Sequence, residues 1–195
     1  MLAEIGQLLV DVVASFFVYL LLARFHFQWL RVPFRNPIGA FVVALTDWIV
    51  RPARRVVPGL GGFDIATLLV AWLVQTFALW VLYSLKSADP GGAGVSVVPL
   101  LGVLALFDLV RYSLYILIFA VLVQVVLSWV NPHSPVEPFF NAMTRPFLAP
   151  IRRFAPPIAN VDLSPLVLLV VLQVLLIPLA HLRNVAAVFF AGGSA

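Results

Sequence analysis

Two arginine pairs, Arg54-Arg55 and Arg152-Arg153, stand in the polar breaks of an otherwise apolar chain. Each is followed by one acid, Asp64 or Asp162, at the mouth of an apolar run. Guanidinium forks bind phosphate oxygens, and basic residues beside a membrane are drawn to anionic headgroups. The pairs therefore form a candidate platform for lipid or for an acidic partner. Asp64 and Asp162 suit helix capping, or pairing with the arginines of their own loop. Gln75 and Gln173 each lie 11 residues past their Asp, about 16 Å along a helix axis. An amide at that depth in a membrane needs a hydrogen-bond partner. If the two helices meet at a symmetry axis, the amides can bond each other; a polar constriction in a pathway is the sharper reading. Asp108 and Arg111, spaced i,i+3, can pair on one helix face. With Asp11 they are the ionisable groups nearest to lipid, and all three are expected near one membrane surface. Intramembrane charge marks a candidate site by default.

Other chemistry finds no residues to carry it. There are no cysteines, which excludes disulfides, thiolate metal sites and a cysteine nucleophile. His26, His133 and His181 are scattered, without the spacing of metal or haem ligands. Gly59, Gly61 and Gly62 follow no strand and match no nucleotide-binding fingerprint. No catalytic residue, cofactor or metal ligand can be assigned, and the chain reads as a non-enzyme.

The elements that must hold these residues are membrane helices. Of 195 residues, 63% are hydrophobic and 10% charged, against about 25% charged in ordinary soluble domains. Mean hydropathy is +1.10. Residues 5–23 hold one charge, Asp11, and predict a first spanning helix prolonged to Trp29, within a first run of about 5–29. The start lacks a basic signal-peptide region, so this helix is expected to remain. Residues 65–85 are uncharged and predict the second span, about 64–85. Residues 95–130 are too long for one straight crossing. They are split into a third span, about 109–130, and a segment 95–107 that is half-inserted, interfacial or a projecting extension of the same helix. Residues 163–180 are uncharged and predict the fourth span, about 163–181, which Pro178 should kink or end. Between Pro37 and Val50, Phe41, Val42, Leu45, Trp48 and Ile49 recur at helical spacing, with arginines directly after. That predicts a short amphipathic helix in the headgroup plane, with a re-entrant hairpin as the alternative. Residues 86–94 read as a turn.

The chain is a tandem repeat. An offset of 98 residues carries Pro52, Arg54, Arg55, Pro58, Asp64 and Gln75 onto Pro150, Arg152, Arg153, Pro156, Asp162 and Gln173. In all, 11 identities fall in ungapped register over residues 37–75. The units are 5–94 and 95–183. Nine of twelve basic residues lie in the two long loops, so the positive-inside rule puts those loops in the cytoplasm and both termini outside. Two spans per repeat make the repeats parallel, with a pseudo-twofold along the membrane normal expected.

The stretch at 24–37, the loop holding Pro52, Arg54, Arg55, Pro58 and Asp64, and the run Pro150, Arg152, Arg153, Pro156, Asp162-Leu163-Ser164-Pro165 resemble the YggT family of bacterial and plastid membrane proteins. The first repeat departs from the pattern, with Ala66-Thr67 where the family has Ser-Pro. The resemblance covers nearly the whole chain and implies an all-α inner-membrane protein with four spans in two repeats, each with an amphipathic Pro/Arg loop-helix. It implies links to osmotic or extracytoplasmic stress and ion uptake, to cell division in Gram-positive relatives, and to cytochrome maturation and nucleoid distribution in plastids. It carries no catalytic residues. The function expected is that of a membrane scaffold or assembly factor. Its partners would be anionic lipids and other membrane proteins, without direct nucleic-acid binding. The alternative is ion transport, for instance of potassium. That would call for a homo-oligomer, because four helices barely enclose a pathway.

Overall fold

The computed structural model describes residues 2–33, 36–57, 63–86, 97–131, 134–154 and 162–192. Among the described residues six helices follow one another: α1 (Leu2–Trp29), α2 (Pro37–Val56), α3 (Ile65–Lys86), α4 (Val98–Val130), α5 (Glu137–Phe154) and α6 (Ser164–Gly192). Four of them, α1, α3, α4 and α6, are long and apolar enough to cross a membrane. The shorter α2 and α5 join the spans within each repeat, so a long–short–long unit occurs twice. The turn expected at 86–94 lies from residue 87 onward outside the described residues, as do Arg35, Pro58, Gly59, Gly61, Gly62, His133 and Pro156.

Local chemistry explains how the first unit turns. At the end of α1, Arg31 adopts a left-handed φ of 52°. The Val32 N–H donates to the Phe27 carbonyl at 2.8 Å and the Arg31 N–H to the Gln28 carbonyl at 3.2 Å. This is a Schellman ending. Its hydrophobic clasp is present too, since Phe27 and Val32 share one buried cluster. Asn36 then caps α2, its side-chain oxygen accepting from the Gly39 N–H at 2.8 Å, with Pro37 at the first helical position.

Both short helices are amphipathic and bury the same stripe. On α2 it is Val42, Thr46 and Val50; on α5, 98 residues later, it is Phe140, Thr144 and Leu148. The first is one uninterrupted helix rather than a hairpin, and it runs past Val50 and through Pro52 to Val56. Pro52 removes a single donor, and it lies on the exposed side of α2.

One open alternative is decided and two other expectations are corrected. Residues 98–130 form a single helix of 33 residues, about 50 Å long, so 98–107 is the projecting extension and not a separate segment. The fourth span does not end at Pro178 but continues to Gly192. Membrane helices tolerate an interior proline where neighbours or local adjustments satisfy the freed carbonyl. The two units do not pack as a twofold pair. α1 packs on α3, α4 on α6, α1 on α4 and α3 on α4, but among the described residues no α6–α1 contact of comparable extent mirrors that of α3 with α4. In consequence 33% of the most apolar stretch of α3 is buried and only 11% of that of α6.

Candidate functional site

At the end of the bundle that carries α2 and α5, each repeat joins its arginine pair to its acid. Asp64 immediately precedes α3. It accepts from the Thr67 N–H at 3.3 Å and from the Thr67 hydroxyl, and it is ion-paired with Arg54. Arg54 also donates to the Gln28 side-chain oxygen at 3.0 Å. Asp162 caps α6 by accepting from the Ser164 N–H at 2.9 Å, and pairs with Arg152 Nε at 2.9 Å. In both repeats, then, the first arginine of the pair is engaged by the acid ten residues on. Arg55 and Arg153 are exposed and make no ion pair among the described residues. Burial pushes the Asp64 carboxyl upward. The hydrogen bonds from Arg54 and Thr67 and the Arg54 charge outweigh it, and hold the group below the ordinary carboxylate range. Asp162 is lowered by the same balance, burial being overcome by hydrogen bonds from Ser164 and Arg152.

A second tie anchors each short helix to its preceding span. In the first repeat the buried Arg24 donates to the Thr46 hydroxyl at 2.9 Å and to Asp47 at 2.8 Å, and Asp47 also pairs with Arg51 at 2.8 Å. The Arg24 hydrogen bond holds Asp47 below the ordinary carboxylate range against desolvation, helped by the charges of Arg24, Arg51 and Arg54. In the second repeat the Thr144 hydroxyl donates to the Gln124 side-chain oxygen. The threonines are register equivalents, while their partners are not: Gln124 falls in the register of His26. The sequence reading counted Arg24 only as a basic residue. Its position inside an apolar run, opposite an acid on an amphipathic segment, was the available signal.

Deeper in the bundle, Asp108 is 1% exposed and lies where three spans meet. Gln75 of α3 donates to it at 3.1 Å. Arg111 pairs with it at 3.1 Å from the next turn of α4. Arg183 of α6 donates through Nε at 2.9 Å and through Nη2 at 3.3 Å. A carboxylate in lipid is tolerated when paired and hydrogen-bonded, and here it ties α6 and α3 to one point on α4. The expected Gln75–Gln173 bond is therefore overturned: Gln75 is buried against Asp108, and Gln173 is exposed on α6. Asp11 does not join Asp108 and Arg111 either, being exposed on α1. Arg183 lies just past the expected span of about 163–181, which Pro178 was expected to kink or end, whereas α6 runs on to Gly192. A cation in an apolar run beyond a proline is the signal that points to it.

Between the α1/α2 and α4/α5 pairs runs a groove of about 600 Å³ lined by aromatic and aliphatic side chains, among them Phe16, Tyr19, Phe41, Tyr115, Phe119 and Met143. No cluster of three or more His, Cys, Asp or Glu able to hold a metal occurs among the described residues.

The CCB3/YggT family model matches residues 3–85 and 103–183, one segment in each repeat. The chain is 32% identical to the uncharacterised protein YggT of Escherichia coli over 168 residues, 86% of this chain and 85% of that one. It is 34% identical to an uncharacterised protein of Vibrio alginolyticus over 166 residues, 85% and 88% of the two chains. An uncharacterised protein of Pseudomonas aeruginosa is 31% identical over 183 residues, 92% and 89%. No solved structure matches the chain. The two matched segments coincide with the two long–short–long units built around the Arg–Asp pairs, and the chain belongs to the CCB3/YggT family.

Proposed function

We propose that this protein is a non-enzymatic scaffold or assembly factor of the inner membrane. Its α2 and α5 helices lie at the cytoplasmic headgroup plane and hold anionic lipid together with other membrane proteins. The observation that carries this reading is the division of labour within each arginine pair. Arg54 and Arg152 are locked to Asp64 and Asp162. Arg55 and Arg153 stay exposed, as do Phe41 and Trp48 on α2. A helix with exposed aromatics and arginines, docked on the bundle by its other side, is suited to the membrane interface. Osmotic or extracytoplasmic stress, division and cytochrome maturation are settings in which such a scaffold would act.

Native mass spectrometry of the protein released from membranes containing phosphatidylglycerol tests the lipid arm. The wild type should retain anionic lipid, and Arg55→Gln/Arg153→Gln should lose most of it. Equal retention in both would remove the platform. Sidedness is tested in the cysteine-free chain with Ser134→Cys, which should react only with reagents that reach the cytoplasm, and Ser87→Cys, which should react from outside.

Ion transport is the second reading, favoured by one observation, the buried Asp108 among Gln75, Arg111 and Arg183. Two guanidiniums locked on one carboxylate resemble a structural clamp more than a moving relay. Proteoliposomes with and without an osmotic gradient decide the matter: potassium flux abolished by Asp108→Asn would put transport first.

A further inference from the structure

Beside the like-to-like packing of α1 on α4, the two repeats make a heterologous contact: a span of the first, α3, packs on the leading span of the second, α4. Such a contact uses two different surfaces, and each repeat owns both. The first repeat therefore carries an unused copy of the α4 surface on α1, and the second an unused copy of the α3 surface on α6.

The unused surfaces carry matching polar groups. Within the chain, Gln75 stands ten residues after Ile65 and Asp108 ten after Val98, and the two are bonded at 3.1 Å. Gln173 is the register equivalent of Gln75, nine residues after Ser164; Asp11 lies nine residues after Leu2. Asp11 takes the register of Leu109, one residue past Asp108. Leu109 itself belongs to the buried cluster that includes Val70 and Ala71 of α3, so this register faces the neighbouring repeat. Yet Gln173 and Asp11 are both exposed, and neither has a partner among the described residues. Their surroundings are apolar and exposed as well: Leu8 and Val12 on α1, Val170 and Ile177 on α6. An acid and an amide facing lipid within spanning helices are costly unless they find partners. An amide both donates and accepts, so it can bond a carboxyl in either protonation state.

We propose that the chain assembles head to tail with copies of itself, α6 of one copy against α1 of the next, Gln173 donating to Asp11 of the neighbouring copy as Gln75 donates to Asp108 within the chain. Such an interface closes into a ring when the rotation between repeats permits it. The open faces of α1 and α6 are then covered, and Asp11 and Gln173 each gain a partner.

The absence of cysteine makes the test direct. Asp11→Cys and Gln173→Cys chains bearing different tags are co-expressed and oxidised in the membrane. The expected product is a disulfide joining the two tags, with neither variant cross-linking to itself. In the Asp11→Cys/Gln173→Cys chain the products should form a ladder that stops at a fixed copy number. Self-cross-linking of either single variant would mean an isologous contact and overturn the proposal, as would a double variant closed only within its own chain. Absence of any cross-link in protein shown to be folded by its sharp elution in detergent would also overturn it. Independently, single-molecule photobleaching in bilayers reads the assembly state. Asp11→Leu and Gln173→Leu should each weaken association about three- to thirtyfold, the range of one interhelical hydrogen bond. Asp11→Asn should retain association. Leucine on an outer apolar face does not threaten folding, so unchanged association in both variants would count against the contact.

Discussion

The two repeats carry the same Arg-Arg and Asp in the same register and hold them in different surroundings. The Asp64 side chain is 3% exposed; that of Asp162 is 38% exposed. The first arginine also reaches Gln28 of α1, and Thr67 donates twice to Asp64. In the second repeat proline occupies the register of Thr67, and the cap reduces to the Ser164 N–H. The same motif therefore sets the same local geometry, while its energetic weight is set by what packs around it. α3 is covered by α4, and α6 is not covered by α1.

The largest expected effect lies where the repeats are joined. Asp108→Leu leaves the half-buried Arg111 and Arg183 without the buried acid they share. Breaking a buried ion pair in this way costs roughly 3–5 kcal/mol, read as a fall in the denaturation midpoint in detergent. Asp108→Asn, which keeps an acceptor for Gln75, should fall between. A midpoint equal to wild type for Asp108→Leu would mean that the carboxylate does not hold α3, α4 and α6 together.

Acid should separate the repeats next. Asp47, Asp64 and Asp162 all have carboxyls held below the ordinary range, which is about 4. A depressed carboxyl stabilises the fold fully above its unfolded value, and that contribution is lost as pH falls through its folded value. Stability should thus be flat near neutrality and fall below about pH 4. At pH 7, Asp64→Asn should cost about 2 kcal/mol, because a buried charged network is broken. Asp162→Asn should cost under about 1 kcal/mol, because an exposed pair is screened. Equal losses would abolish the distinction between the repeats. An acid limb that survives Asp64→Asn unchanged would assign it to other groups.

The amides give a smaller contrast in the same direction. Gln75→Leu removes the α3 donor to Asp108 and should cost about 1 kcal/mol. Gln173→Leu, measured on protein dispersed to monomers, should stay within about 0.5 kcal/mol of wild type. Equal losses at the two positions would return the amides to a symmetric arrangement.

Much of this architecture was legible in the sequence. Apolar length identifies spans, and a fixed offset identifies the repeat, because lipid compatibility and internal similarity are properties of the chain read along its length. The capping and pairing of Asp64 and Asp162 follow from local spacing. Which way a residue faces around its helix is another matter. Gln75 and Gln173 are identical in register, and symmetry suggested that they meet. Their neighbours differ, however. Trp72, whose indole donates to the Gly102 carbonyl at 2.8 Å, helps seat α3 on α4, and α6 has Val170 in that register. Repeated sequence did not impose repeated packing. The partners of Arg24 and Arg183 were hard to read for a related reason. Each arginine is bound to an acid on another helix, and hydropathy along the chain has no term for a partner found across a bundle.

The smallest contrast lies at the ends of the leading spans. α1 closes on Arg31 with φ of 52°, a conformation that crowds the Cβ of any residue but glycine. The register equivalent, Trp129, is still helical, and α4 ends two residues later at Asn131 with φ of −152°. Arg31→Gly should relieve the crowding and keep the Val32–Phe27 bond, raising stability by up to about 1 kcal/mol, offset in part by the greater freedom of glycine in the unfolded chain. Trp129→Gly should lower stability by about 1 kcal/mol, since glycine inside a helix weakens it. A gain at one position and a loss at its equivalent would show that the repeats leave their spans by different routes. A loss at both would mean that the Arg31 side chain contributes more at the end of α1 than its backbone strain costs.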